Sequence, residues 1–343
     1  MLNLPDPVFA YGFSINKRRL LRRFVGDYRV RFITDPGQLP TGSTLLLWGS
    51  EPAPRGLAPG ATVVRLEDGF LRSVGLGAEL VSPLSWVMDT RGIYYDATRV
   101  SDLEHLLQTT HFRAELLERA ARLRRRIVAS GLTKYNVGHG TWSRPAKQAR
   151  VILVPGQVET DASLELGAPA IRTNIALLRA VREANPAAYL LYKPHPDINA
   201  GIRPRGAQEG DARHSCDEVV TNVSMDALLK AVDEVHVLTS LAGFEALLRE
   251  KAVICYGLPF YAGWGLTRDL LPCARRARRL TLDQLVAGAL IGYPLYVSRT
   301  SGCRIRVEEA LDELLQWRQR IASRPGLWRH LWRPLLRLAA SVR

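Results

Sequence analysis

The residues best suited to chemistry lie where short apolar runs give way to turns. Tyr192-Lys193-Pro194-His195-Pro196-Asp197 directly follows the run Ala188-Tyr189-Leu190-Leu191. Each proline fixes its own φ and restricts the residue before it, so His195 has little backbone freedom and its imidazole is aimed. In open α/β sheets ligands bind beyond the carboxyl ends of the strands, which is where this imidazole and Lys193 would sit. Glu67-Asp68-Gly69 ends another apolar run. Its adjacent carboxylates either supply general acid/base catalysis or form an acidic turn with one of them paired to Arg65 or Arg72.

Three further strings repeat this placement. Gln157-Val158-Glu159-Thr160-Asp161 follows Val151-Ile152-Leu153-Val154 and Pro155-Gly156. Asp161 or Ser163 caps a helix there, or Asp161 presents a nucleophilic carboxylate to an anomeric carbon. Thr239-Ser240 opens a helix, where hydroxyls and free N–H groups cap the helix or hold a phosphate. Glu245, inside that helix, reaches ribose hydroxyls or faces solvent. Tyr256-Gly257-Leu258-Pro259-Phe260-Tyr261-Ala262-Gly263-Trp264-Gly265 is a glycine-rich aromatic loop. Its glycines allow close backbone approach to a ligand and its aromatics can stack on a base or sugar; the other reading is a packed Ω-loop.

The elements that must position these groups read as α/β throughout. In the first third, short apolar runs (8–13, 30–33, 45–48 and 62–66) are bounded by Gly, Pro, Asp or Ser and separated by helical or loop stretches, among them a basic helix over 15–24. A polar helix is expected over 101–129, with Ser101 as N-cap, Glu104 at the capping-box position and a solvated arginine cluster from Arg119 to Arg126. Residues 131–144, rich in Gly, Thr, Asn and Tyr, read as an inter-domain linker. The same texture then resumes, with a helix over 174–185 and strands before His195, at 219–220, at 234–238 and at 253–256. The expected division is 1–140, 141–317 and a tail from 318 to 343.

Composition narrows the partners. The 343 residues exceed what one core usually supports, and 47% are hydrophobic. The net charge of +14 suggests an anionic partner, but seven arginines with no acidic residue over 318–343 carry half of it. In that tail Trp328, Leu331, Trp332, Leu335 and Leu338 recur at helical spacing, interrupted by Pro334, which suits an amphipathic segment on an anionic membrane. No nucleic-acid-reading motif accompanies the charge, and nucleic acid is not expected as a partner. Four scattered cysteines form no zinc or disulfide framework, the histidines lack ligand spacing, and no metal is expected. His236, inside an apolar strand, reads as a core residue. There is no G-x-G-x-x-G after a strand, no P-loop, no leader pattern and no bilayer-length apolar run, so a cytoplasmic protein is expected.

Glu67-Asp68-Gly69, His195-Pro196 and Thr239-Ser240 together resemble the three motifs shared by bacterial CMP-sugar glycosyltransferases. Fuller strings are more specific: Arg65-Leu66-Glu67-Asp68-Gly69-Phe70-Leu71-Arg72-Ser73, Pro155-Gly156-Gln157-Val158-Glu159, Tyr192-Lys193-Pro194-His195-Pro196, and the loop from Gly257 to Gly265. They resemble the capsular polysaccharide β-Kdo transferases of KpsC type, over roughly Tyr11 to Arg306. The resemblance implies an α/β, GT-B-like fold: a 1–140 acceptor-side Rossmann-like domain, a 141–317 CMP-sugar donor-binding Rossmann-like domain, and the active site in the cleft between them. It also implies retaining transfer of 3-deoxy-D-manno-oct-2-ulosonic acid (Kdo) from CMP-Kdo to a lipid-linked, Kdo-containing acceptor, without a metal or other cofactor. By the same resemblance Asp161 is the nucleophile and Glu67 or Asp68 the acid/base. The CMP phosphate falls to His195 with Thr239 and Ser240, the ribose and cytosine to Glu245 and the loop of Gly257, Pro259 and Tyr261, and other donor contacts to Gln157 and Lys193. Expected partners are the inner face of the inner membrane, through the tail from Arg318 to Arg343, and other capsule assembly proteins. Many members of this family carry two transferase modules, whereas this chain has length for one. The competing readings are a sugar-nucleotide epimerase of the same architecture and a non-catalytic capsule assembly or export factor.

Overall fold

The computed structural model describes residues 4–75, 82–138, 140–145, 150–206 and 208–322. Among these residues the strands form two sheets. The first contains β1 (Val8–Tyr11), β2 (Val30–Ile33), β3 (Thr44–Trp48), β4 (Thr62–Asp68) and β5 (Ser85–Asp89), joined late in the chain by β12 (Pro294–Val297) and β13 (Arg304–Ile305). The second contains β6 (Val151–Pro155), β7 (Tyr189–Lys193), β8 (Glu218–Val219), β9 (Glu234–Val237), β10 (Ala252–Cys255) and β11 (Arg268–Asp269). The helices are α1 (Ile15–Val25), α2 (Asp102–Thr109), α3 (Ala114–Ala129), α4 (Ala162–Gly167), α5 (Asn174–Ala184), α6 (Pro196–Asn199), α7 (Met225–Ala231), α8 (Leu241–Leu248), α9 (Leu282–Val286) and α10 (Val307–Ala322).

The second sheet is parallel throughout, in the order β11-β10-β9-β6-β7-β8. Helices cover such a sheet on both faces, which is why β6 is an unbroken apolar run with every residue buried. The strand order reverses between β6 and β9, so the loops leaving these two strands diverge and open a crevice at their carboxyl ends. In the first sheet β2, β1, β3 and β4 run parallel in that order, with a second reversal between β1 and β3. β5, β12 and β13 then add on antiparallel. Two Rossmann-like halves with facing strand ends form the GT-B-like arrangement expected from the motifs.

The boundary at 140/141 separates the two sheets, but the chain recrosses it. β12 and β13 lie within 141–317 yet pair in the first sheet, and α10 runs unbroken through residue 318. The largest apolar core also belongs to both halves: the Phe70 ring lies 4.5 Å from Phe260 and 6.1 Å from Phe244. The amphipathic stripe from Trp328 to Leu338 lies outside the described residues.

Three local expectations are corrected. The single helix over 101–129 is two helices, because Phe112 turns into the core and Arg278 stacks on it while donating to the Leu107 and Thr110 carbonyls at the end of α2. Ser101 caps α2 as expected, but Glu104 does not close a capping box; its carboxylate takes Arg275 and Arg276 at 2.9 Å each. The arginines of α3 are for the most part not a solvated face. Arg119 forks onto Glu308, Arg124 reaches Glu250 and Asp283, and Arg126 reaches Asp312, so this face is a seam along α9 and α10.

Glu104 and Arg276 are only 6% and 5% exposed, and together they join α2 to the loop that follows β11. Removing one partner of a buried pair strands the other charge. Glu104→Ala should therefore cost about 3 kcal/mol of stability in urea unfolding, with Glu104→Gln less damaging.

Candidate active site

Both strand-order reversals open into one cavity of about 1100 Å³. The first sheet supplies Glu67 and Asp68 at the end of β4, Gly49 and Ser50 after β3, and one face of α1. The second supplies Gln157 and Asp161 after β6, Lys193 and His195 after β7, and Thr239 and Ser240 after β9. Glu245 of α8 and Pro259 complete this wall. Gly257 and Tyr261 are not among the lining residues. A Cβ on Gly257 would come within 2.8 Å of the Gly167 carbonyl, so this glycine serves chain packing. Tyr261 is fully buried and donates its hydroxyl to the Ser240 carbonyl, holding the start of α8 from behind.

The carboxylates differ by environment. Asp68 is tied on both oxygens, by Arg72 Nε at 2.6 Å and Trp86 Nε1 at 3.1 Å. For Asp68 the acidic turn paired to Arg72 is what forms, whereas Arg65 turns to the Gly49 and Glu51 carbonyls. Glu67 accepts from the Asp68 amide at 2.9 Å and from the Tyr95 hydroxyl at 3.4 Å, with no guanidinium on it. Burial, and then the Asp68 charge, raise its pKa to about 7 against the smaller pull of Lys17 and Lys134. Asp161 both caps and faces the cavity. Its Oδ1 accepts from the Ser163 amide at 2.9 Å, and Oδ2 has no hydrogen-bond partner among the described residues.

On the opposite wall the basic groups are held in chosen protonation states. The amide of Asp197 donates to His195 Nδ1 at 3.2 Å, which leaves the ring proton on Nε2. Burial, with Lys134 and Arg203 nearby, lowers the His195 pKa to about 4 despite Asp161, so it is a neutral donor at ordinary pH. Lys193 is buried and donates to the Val223 carbonyl at 2.7 Å; burial lowers its pKa to about 8. Gln157 bridges to Thr239 twice, accepting from its amide at 2.9 Å and donating to its hydroxyl at 3.0 Å, which locks the β6 and β9 loops together. Ser240 caps α8 by accepting from the Ala242 amide.

Glu245 does not face solvent. It accepts the Lys134 amide at 2.6 Å, and burial raises its pKa to about 7. That bond fixes a segment read from the sequence only as a linker. Lys134 and Tyr135 line the cavity, with the Tyr135 ring edge-on to His195 at 5.9 Å. Burial works against the Lys134 charge, but Tyr135, Asp161 and Asp68 outweigh it and raise its pKa. Asn136, at φ 53°, turns the chain and donates to the Ser73 carbonyl in the loop that follows β4. The available signal was Lys134-Tyr135-Asn136 within a stretch that must cross the cleft mouth. Tyr94 and Tyr95, also in the cavity wall, carried no comparable motif. Among the described residues no cluster of three or more His, Cys, Asp or Glu is arranged to hold a metal ion, and no helix is long and apolar enough to cross a membrane.

Residues 44–305 match the family model described as capsule polysaccharide biosynthesis protein. The chain is 43% identical over 339 residues to the capsule polysaccharide modification protein LipA of Neisseria meningitidis serogroup A, a match that covers 95% of this chain and 48% of that protein. It therefore spans about half the length of the Neisseria proteins it matches. Among solved structures, the β-Kdo 2,7-transferase of Thermosulfurimonas dismutans KpsC is 41% identical, with a TM-score of 0.76 over 91% of this chain and 100% of that one. The β-Kdo 2,4-transferase of the same KpsC is 33% identical, with a TM-score of 0.77 over 90% of this chain and 98% of that one.

The electrostatics can be checked by carboxyl-carbon and imidazole NMR. Glu67 should titrate near pH 7 and His195 only near pH 4. Asp68→Asn removes a negative neighbour and releases Arg72, so it should move the Glu67 midpoint downward; an unmoved midpoint would show that the Asp68 charge does not act on it.

Proposed function

The chain belongs to the capsule polysaccharide biosynthesis family, and on that premise we propose that it is a retaining β-Kdo transferase that uses CMP-Kdo and extends a lipid-linked, Kdo-containing acceptor. The observation that carries this reading is the pair of carboxylates, Asp161 and Glu67, brought to one cavity from opposite sheets beside a neutral, donating imidazole.

In this reading the free Oδ2 of Asp161 attacks the anomeric carbon. The C–O bond to CMP breaks with its electron pair going to the phosphate. His195 Nε2–H, the Lys134 ammonium and the amino end of α8 with Ser240 meet that phosphate as its charge grows. CMP departs, and the acceptor hydroxyl attacks the glycosyl-aspartate from the face that CMP left. Glu67 takes the hydroxyl proton, Asp161 is released as carboxylate, and two inversions give retention. Glu67 suits the base role better than Asp68, because both Asp68 oxygens are committed to Arg72 and Trp86. Lys193 and Gln157 keep the β7 and β6 loops at the donor, and Gly257 and Tyr261 act from behind the wall. The protein works at the cytoplasmic face of the inner membrane, where its lipid-linked acceptor lies.

Intact-protein and peptide mass spectrometry after a brief incubation with CMP-Kdo should find a Kdo adduct on the peptide containing Asp161. Asp161→Asn should lower turnover by at least about 10³-fold while CMP still binds; near-normal transfer by this variant would remove Asp161 as nucleophile. His195→Ala should weaken both turnover and CMP binding.

A general base works deprotonated, so the rate should climb as pH rises through about 7, where Glu67 loses its proton. Glu67→Gln should erase that limb and slow transfer by about 10²–10⁴-fold. A limb that persists in Glu67→Gln would assign the base elsewhere.

A further inference from the structure

One wall of the cavity has no part in the chemistry above. Asn16, Arg19, Leu20 and Arg23 recur at i, i+3, i+4 and i+7, so they share one face of α1, and all four border the cavity. At 1.5 Å per residue this row is about 10 Å long, room for roughly two pyranose rings. It starts at the end of α1 nearest the strand ends, where Lys17 influences Glu67, and runs back along the first sheet. At its far end the cavity leads into a smaller hollow of about 120 Å³ that shares Leu20 and Arg23 with it and is closed by Phe24, Val297 and Arg299.

The hollow has an apolar floor and two guanidiniums at its edge. The Arg23 side chain lies against the turn at Gly302, and Arg299 lies flat over Trp317 at 3.3 Å. Among the described residues no acidic side chain forms an ion pair with Arg19 or Arg23, while the Glu313 carboxylate accepts the Arg299 backbone amide at 3.1 Å and its charge acts on that guanidinium without a direct ion pair. α1 also has no acidic residue in its first turn, where Lys17, Arg18 and Arg19 stand against the helix dipole. Such a wall is complementary to a chain of carboxylated sugars, whose rings present an apolar face and whose acid groups recur once per unit.

We propose that this face of α1 is an acceptor track: the sugar acid preceding the one that receives the new unit lies along it, with its carboxylate between Arg23 and Arg299 and its ring on Leu20. This rests on the transferase reading of the cavity and deepens it. The protein then selects an acceptor that already carries at least two acidic units, and it does so by charge at a place remote from the reacting hydroxyl.

Calorimetric binding of water-soluble alkyl glycosides with one or two Kdo units, in the presence of CMP, tests this alongside transfer. Wild-type protein should bind the two-unit glycoside roughly tenfold tighter than the one-unit glycoside. The double variant Arg23→Ala with Arg299→Ala should bring the two to equal affinity, and so should methyl esterification of the inner carboxylate on wild-type protein. Arg23→Lys with Arg299→Lys should keep part of the preference, and CMP affinity reports that each variant is folded. The proposal falls if the double alanine variant keeps the two-unit preference, or if the ester binds as well as the acid. It falls equally if the arginines matter only for a phospholipid-linked glycoside, which would make the anion a lipid phosphate. An arginine-dependent two-unit preference without transfer to any acceptor would support the track and overturn the transferase reading.

Discussion

Everything in the cavity depends on holding two sheets in fixed register, since neither sheet alone owns a complete set of reactive groups. The buried pair of Glu104 with Arg276 is the clearest device, because charges taken from water hold their geometry only when each satisfies the other. Arg276 also donates to the Pro259 and Ala262 carbonyls, so the clamp reaches the loop that lines the donor wall. The returning strands β12 and β13, the shared aromatic core and the Glu245 bond to the Lys134 amide all cross the same boundary. The strand ends are thereby held at a set separation, which keeps the groups they carry in one geometry.

Within that frame environment rather than residue type assigns the roles. Glu67 and Asp68 are neighbours in one strand, yet Asp68 is held in an ion pair by Arg72 while Glu67 is left to burial and to the Asp68 charge. Burial and the Asp68 charge thus bring Glu67 close to neutral pH, while Asp68 itself is committed to Arg72. His195 shows the converse. Lys134 and Arg203 disfavour a second positive charge, and the Asp197 amide occupies Nδ1, so the ring offers a proton without changing charge.

The apolar runs gave away the strands because parallel strands buried on both faces must be continuously hydrophobic, and the turns after them carried the motifs. Asp161, His195, Thr239 and Ser240 line the cavity at the turns their motifs mark, because proline and cap chemistry act over a few residues. Much of what could not be read was decided by partners more than a hundred positions away. The arginines of α3 look solvated until α10 arrives, and the helix over 101–129 looks continuous until Arg278 takes its carbonyls. Residues 131–144 read as a linker because Glu245, which fixes Lys134, belongs to a different domain. The resemblance put Gly257 and Tyr261 beside the ribose and cytosine, but in the structure their glycine and aromatic character serves backbone packing against Gly167 and Ser240.

α1 carries the same logic to the other side of the cleft. Positive side chains in a first helical turn each forfeit roughly 0.3–1 kcal/mol against the dipole, and Ser14 offers no side-chain cap to offset it. Stability is instead supplied at the opposite end, where Gly26 takes a positive φ and Arg304 donates to the Phe24 and Val25 carbonyls. Leu21, Phe24 and Val25 bury the inner face. The helix is thus anchored by its carboxyl end and its apolar stripe, and the end nearest the carboxylates is free to be basic. A fold shaped by stability alone would reverse those charges, and the sequence keeps them where an anionic chain would have to enter.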